Sequence, residues 1–266
     1  MAKTEISTII WDGDGTLWGW MDYAVPAYEA MCTVIAQLAN KTFDETAEAM
    51  NAFYTARGTL EDERLIQGLR EAGFFNSIVD FDENSAIKIA KETFQKVRQG
   101  KLQVYPRIPQ TIEALDKLGI EQILLSDAPI RQARARLQHF GLDSTIKRIY
   151  AMPSPDDNTP SEFILPQEKP RTDLEKVLGM TRAQIASNVA IVGDNMEKDM
   201  LLGERFDCKR FHMAYGQAPE DFKSRIGRFA SAPVTQRNVA ALPKGRAESS
   251  RLVTISHPSQ ILSYFL

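Results

Sequence analysis

Apolar residues fall into two regimes along this chain. Short, largely apolar runs recur at Thr8-Ile9-Ile10-Trp11, Gln122-Ile123-Leu124-Leu125, Ile146 to Met152, Val189-Ala190-Ile191-Val192 and Leu252-Val253-Thr254-Ile255. Runs of this length, rich in β-branched residues, predict strands buried on both faces. Between them the spacing changes to three and four. Ile112, Leu115 and Leu118 end at Gly119, and Ile130, Ala133, Leu137 and Phe140 stop at Gly141. Thr172-Asp173-Leu174-Glu175 reads as a capping box that opens another helix. Strands alternating with helices predict an α/β fold, a doubly wound parallel sheet with helices on both faces.

From Trp18 to about Pro106 the pattern is helical throughout. Val25, Tyr28, Cys32 and Ile35 form one stripe, and Ile87, Ala90, Phe94 and Val97 form another. Thr42-x-x-Glu45 is a capping box continued by Ala47, Met50 and Phe53, and a further helix is expected from Leu60 to Leu69, stopping near Gly73. These four helices predict a small helical bundle inserted in the α/β core. The expected division is therefore residues 1–18 and 106–266 for the core domain and 19–105 for the helical one. Residues 214–251 are rich in Arg, Lys, Pro, Ser and Gly, which predicts a long surface loop with one short helix. Its Arg225, Arg228, Arg237, Lys244 and Arg246 read as a solvated face. A helix is expected from near Pro258.

Composition narrows the class. Apolar content of 43% and charged content of 25% are ordinary for a globular protein, and a net charge of −3 gives no reason to expect nucleic acid or an anionic membrane as partner. Only Cys32 and Cys208 occur, far apart, so a disulfide framework is not expected and a reducing compartment fits. The start Met1-Ala2-Lys3-Thr4-Glu5 has no apolar signal core, and no apolar run reaches membrane-spanning length. The expectation is a soluble cytoplasmic protein. His139, His212 and His257 show no ligand spacing; they read as a helix end, a strand position and a turn.

Candidate chemistry gathers where strands end. Asp12-Gly13-Asp14-Gly15-Thr16-Leu17 follows the first strand directly. Its glycines let the chain turn at once, so two carboxylates two residues apart need not point to opposite faces. Asp12 could act as a nucleophile beside Asp14 as proton donor and acceptor, although a solvated Asp-Gly turn is the plain alternative. Ser126-Asp127-Ala128 ends the second strand before Pro129. A hydroxyl there suits a phosphate or, equally, a helix N-cap. Lys169-Pro170 could bring in a point charge among 32 Lys and Arg residues that are mostly surface. Gly193-Asp194 ends the fourth run, with Asp199 five residues after Asp194. Hard oxygen ligands of this kind suit Mg²⁺, or they simply begin a helix.

In this order, Asp12-x-Asp14-Gly15-Thr16, Ser126, Lys169-Pro170 and Gly193-Asp194-(x)₄-Asp199 resemble the four motifs of the haloacid dehalogenase superfamily, across roughly residues 5 to 215. The resemblance implies a Rossmann-like core with a helical cap between the first and second motifs. It also implies a Mg²⁺-dependent phosphomonoester hydrolase that works on a small phosphorylated metabolite through an aspartyl-phosphate. By this reading Asp12, Asp14 and Lys169 are catalytic. Thr16, Ser126, Asp127 and Lys169 meet the substrate, and Asp12, Asp14 (by its carbonyl), Asp194 and Asp199 hold the metal. Dehalogenases of the superfamily lack an acid at the Asp14 position, because halide leaves without a proton. A phosphosugar mutase, another hydrolase of the superfamily (a dehalogenase or a phosphonate hydrolase) and a non-catalytic phosphate or partner binder are the other readings. In the cap, Trp20, Arg57, Glu61 and Arg64 are candidates to face substrate. Two positions depart from the family pattern. Gly13 stands where relatives carry a bulkier apolar residue, and Asp127 puts a negative charge beside the expected phosphate site.

Overall fold

Six strands form one sheet: β1 Thr8–Trp11, β2 Glu121–Pro129, β3 Arg148–Met152, β4 Val189–Gly193, β5 Lys209–Met213 and β6 Leu252–Ile255. Their order is β3-β2-β1-β4-β5-β6, and every neighbouring pair is parallel. The computed structural model describes residues 6–58, 60, 62–154, 158, 160, 163–165, 167–216, 220–230 and 251–265. Strand β1 lies centrally, with Ile10 paired to Ile123 on one side and Ile191 on the other. All its residues are buried, as a strand covered on both faces requires.

The covering helices are α5 Ile108–Lys117, α6 Ile130–His139, α7 Leu174–Leu178, α8 Arg182–Asn188 and α9 Leu201–Arg205. Ile10, Ile123, Ile191, Leu174, Ile185 and Leu202 belong to one buried cluster, so the expected helix-sheet packing is present. One local expectation is corrected. The N-cap of α7 is Asp173, which accepts from the Glu175 N–H, whereas the Thr172 hydroxyl donates to the Gln167 carbonyl. Being fully buried, Thr172 satisfies its hydroxyl locally rather than capping. The helix expected from near Pro258 is present as a 3₁₀ segment, Pro258–Tyr264.

A second compact unit comprises α1 Trp20–Ala39, α2 Phe43–Arg57, α3 Leu65–Glu71 and α4 Glu83–Lys101, with α10 Glu220–Ile226 packed among them. The Thr42–Glu45 capping box opens α2 as expected, but α3 begins five residues later than expected, at Leu65. Val25, Tyr28, Cys32 and Ile35 are all buried. Tyr28 meets Tyr54 and Phe94 edge-on and stacks on Phe229. Aromatic burial draws 220–230 into this unit rather than the core assumed for 106–266: Phe229 is fully buried, and Phe222 meets Trp20 at 5.0 Å. Arg225 pairs with Glu29 at 3.2 Å and Arg228 with Asp44 at 2.8 Å. Arg237, Lys244, Arg246 and Glu61 lie outside the described residues. Arg57 and Arg64 both pair with Asp62.

The chain leaves the core unit after Gly19 and re-enters it at Gln103. There the Gly19 N–H donates to the Gln103 carbonyl at 3.0 Å, and the Tyr105 N–H to the Leu17 carbonyl at 3.0 Å. Among the described residues, no helix is long and apolar enough to cross a membrane.

Candidate active site

The candidate residues converge at the carboxyl ends of β1, β2 and β4, where an open parallel sheet places its ligands. The Asp12 N–H still donates to the Val192 carbonyl at 2.8 Å, so the sheet fixes its backbone. The chain then turns, with the Leu17 N–H donating to the Gly13 carbonyl at 2.8 Å. Gly15 has φ +89°, and a Cβ there would lie 2.4 Å from an Asp194 oxygen. Only glycine fits. The Thr16 hydroxyl donates to Asp12 Oδ2 at 3.1 Å. Lys169 Nζ lies 2.5 Å from Asp12 Oδ1 and 2.6 Å from Asp199 Oδ1.

Strand β4 delivers Asp194, and the π-helical turn Met196–Met200 carries Asp199 back onto the strand end. Gly193 permits this approach, because a Cβ there would lie 2.3 Å from the Asp199 carboxyl carbon. Asn195 caps the turn by accepting from the Glu197 and Lys198 N–H groups, while its own N–H donates to Asp199 Oδ2 at 3.2 Å. Asp12, Asp194 and Asp199 each offer an oxygen, all within 4.8 Å of one another. Burial, only partly offset by Lys169 and reinforced by the Asp199 charge, pushes the Asp12 carboxyl up to about 7. Burial and the charges of Asp12 and Asp199 push Asp194 up to about 9. Despite its own burial, Lys169 is held well above the usual lysine range by Asp12, Asp199 and Asp127. An all-oxygen trio that resists ionisation fits a divalent cation, whose charge would relieve the repulsion.

At the end of β2, the Ser126 Oγ accepts from the Ala128 N–H at 3.1 Å. It does not cap α6, whose N-cap residue is Pro129. The Asp127 carboxylate accepts from the Lys169 N–H at 2.9 Å and from Lys198 Nζ at 2.7 Å. Burial opposes its ionisation, but Lys169 and Lys198 outweigh it and hold the carboxyl below its ordinary range. The charge that looked awkward in the sequence is thus neutralised, and it tethers the backbone of the lysine segment. The Asp14 carboxylate is not one of the trio. Its Oδ1 accepts from Trp18 Nε1 at 2.9 Å, and its Oδ2 from an Arg136 guanidinium N–H at 2.5 Å.

Arg136, Lys198, Tyr215 and Gly216 were not singled out in the sequence. Arg136 had a visible signal, since it falls among Ala133, Leu137 and Phe140 on the apolar stripe of α6, where a charge needs a partner. On β5, His212 Nε2 lies 3.0 Å from the Asp194 carbonyl, and beyond the strand the Tyr215 hydroxyl donates to the Thr16 carbonyl at 2.9 Å. A Cβ on Gly216 would lie 1.7 Å from the Gly15 carbonyl oxygen. No spacing rule connects these residues to Gly15 or Thr16.

The site therefore sets five carboxylates (Asp12, Asp14, Asp127, Asp194 and Asp199) against three cations (Lys169, Lys198 and Arg136). With all five ionised, two negative charges would be left over, the charge of one divalent ion. Chemically, such a site can hold an anionic group against a metal while a buried carboxylate attacks it.

A family model described as haloacid dehalogenase-like hydrolase matches residues 6–207. No curated protein matches the chain in sequence. Solved structures of similar fold include a haloacid dehalogenase-like family hydrolase from Xanthomonas campestris, at 13% identity and TM-score 0.55, covering 99% of this chain and 97% of that one. A 2-haloacid dehalogenase from Pseudomonas syringae pv. Tomato aligns at 18% identity and TM-score 0.54, covering 97% of each chain. A HAD phosphatase from Thermococcus onnurineus aligns at 15% identity and TM-score 0.51, covering 84% of this chain and 98% of that one.

Proposed function

The chain belongs to the haloacid dehalogenase-like hydrolase family, and from that premise we propose that it is a Mg²⁺-dependent phosphatase acting on a small phosphomonoester. One observation carries the reading. The buried Asp12 carboxylate, paired with Lys169, is followed two residues on by Asp14, a second carboxylate with access to solvent. A dehalogenase and a phosphatase share this fold, so the fold does not choose between them. An acid at the Asp14 position favours a leaving group that needs a proton.

Asp12 attacks phosphorus, the phosphorus–ester oxygen bond breaks, and the leaving oxygen takes a proton from Asp14. Water then attacks the aspartyl-phosphate and gives a proton to Asp14, and the bond from Asp12 to phosphorus breaks to release inorganic phosphate. Thr16 and Ser126 orient the phosphoryl oxygens. Lys169 keeps Asp12 and Asp199 together and offsets charge as the phosphate arrives. Asp12, the Asp14 carbonyl, Asp194 and Asp199 would hold Mg²⁺, which when bound supplies charge neutralisation and orientation of the phosphoryl group. The helical unit acts as the cap that selects the substrate, as the family resemblance implies. Both cysteines are buried free thiols, which supports a reducing, cytoplasmic setting.

The test is phosphate release from a panel of phosphomonoesters, with and without Mg²⁺. Release that requires Mg²⁺ and disappears in Asp12→Asn supports the reading. Release that is unchanged in Asp12→Asn overturns it.

A further inference from the structure

Resting on the phosphatase reading, we propose that Trp18 and Arg136 are positioning residues that clamp the proton-transfer carboxylate Asp14, and that Gly13 is glycine to make room for the clamp. Each Asp14 oxygen takes one donor, Oδ1 the Trp18 indole N–H at 2.9 Å and Oδ2 the Arg136 guanidinium at 2.5 Å. Indole and guanidinium can only donate, so neither competes for a proton that Asp14 carries. A carboxylate has about four lone-pair directions, and two donors leave the others open. The Asp14 side chain keeps 24% of its surface, whereas that of Arg136 keeps 4%. The clamp is buried and the group it holds is reachable.

Neither donor is free to drift. Arg136 also donates to Gln132 Oε1, one helical turn back on α6, at 3.2 Å. Trp18 is fully buried, stacks on Phe140 with ring centroids 6.1 Å apart, and bridges Val104 through its backbone. A Cβ on Gly13 would stand 2.8 Å from the Trp18 ring. A stacked, buried indole cannot yield as the tip of a flexible side chain would. Position 13 is therefore glycine because the Trp18 ring occupies the space a side chain would need.

Stability is a poor explanation for the arrangement. Burying a guanidinium on the apolar stripe of α6 costs desolvation that an ion pair rarely more than recovers, and an apolar side chain of similar volume would serve packing as well. Proton transfer gives the pair a purpose, because a misplacement of about 1 Å can cost about 10²-fold in rate.

The experiment compares kcat/KM for p-nitrophenyl phosphate and phenyl phosphate, with Mg²⁺, in wild type, Arg136→Gln, Arg136→Lys and Trp18→Phe, alongside melting temperatures. The nitrophenolate leaves without help, and the phenolate needs the proton from Asp14. Arg136→Gln and Trp18→Phe should lose about 10- to 100-fold on phenyl phosphate, and much less on the nitrophenyl ester. Arg136→Lys, with the charge and a donor kept, should recover part of the loss. Trp18→Phe keeps the stack on Phe140 and so carries the test if Arg136→Gln does not fold. Equal losses on both esters, or no loss, would overturn the clamp while leaving the phosphatase reading intact. Wild type inactive on every phosphomonoester would remove both.

Discussion

Lys169 places its ammonium nitrogen 2.5 Å from Asp12 Oδ1, with both side chains buried. A buried pair holds together well only while both partners are present. Lys169→Met would leave Asp12 and Asp199 facing each other without their cation. The variant should lose about 3–5 kcal/mol of stability, and added Mg²⁺ should return part of it. Thermal melts with and without Mg²⁺ check this; a melting temperature equal to wild type would argue against the charge accounting.

Asp12→Asn keeps the shape of the side chain but removes the attacking oxygen. Turnover should fall to background while the melting temperature of the metal-free protein rises, because one of two crowded buried acids is gone and Asp199 still pairs with Lys169. Phosphate release and a melt on the same preparation separate the two effects.

Metal binding can be followed without any substrate. Mg²⁺ at a hundredfold excess over its dissociation constant should stabilise the fold by about 2.7 kcal/mol. EDTA should reverse the shift and abolish phosphate release. Asp194→Asn should weaken the shift, and a full shift in that variant would place the ion elsewhere.

The raised acids give the metal-free protein a distinctive pH dependence. Asp12 and Asp194 titrate near 3.8 when unfolded but at about 7 and about 9 when folded. Between these limits the folded state holds more protons, so stability falls as pH rises from about 4 to about 9. The decline should be shallower in Asp194→Asn and flattened by Mg²⁺. Denaturant melts across that range test the sign; a rise over the same window would refute the assignment.

Two glycines should respond oppositely to alanine. At Gly216 the new Cβ would meet the Gly15 carbonyl oxygen at 1.7 Å, so Gly216→Ala should cost at least about 1–3 kcal/mol and most of the activity. Gly100 lies in α4 with nothing within 4 Å of its Cβ position, so Gly100→Ala should stabilise by about 0.5–1 kcal/mol. Unfolding free energies of the two variants, measured together, decide both.

Strand ends were legible because each apolar run delivers its first polar residue at a fixed place. Thus Trp11 leads to Asp12 and Gly193 to Asp194, whereas β2 runs on past Ser126 to Pro129, with a slip in its pairing to β3. The aromatic stripes of the helical unit were legible for the same reason. Pairings between distant segments were not. Nothing local to Asp127 announces Lys198, 71 residues away, and nothing near Gly15 announces Gly216. Sequence showed Asp127 as a surplus charge, and packing supplied its partner. Gly13 was likewise visible as an exception, but its reason was a ring held five residues later by Phe140.

The excursion through the helices departs at Gly19 and returns at Gln103 across one backbone hydrogen bond. A segment tethered at two adjacent points makes little demand on its own length, since the entropy of closing a loop grows only with the logarithm of its size. Residues between those points can be lengthened or shortened without moving β1, as long as the faces that receive Phe222 and Phe229 are kept. The helical unit is thereby written on two stretches of the gene, and a change in one constrains the other.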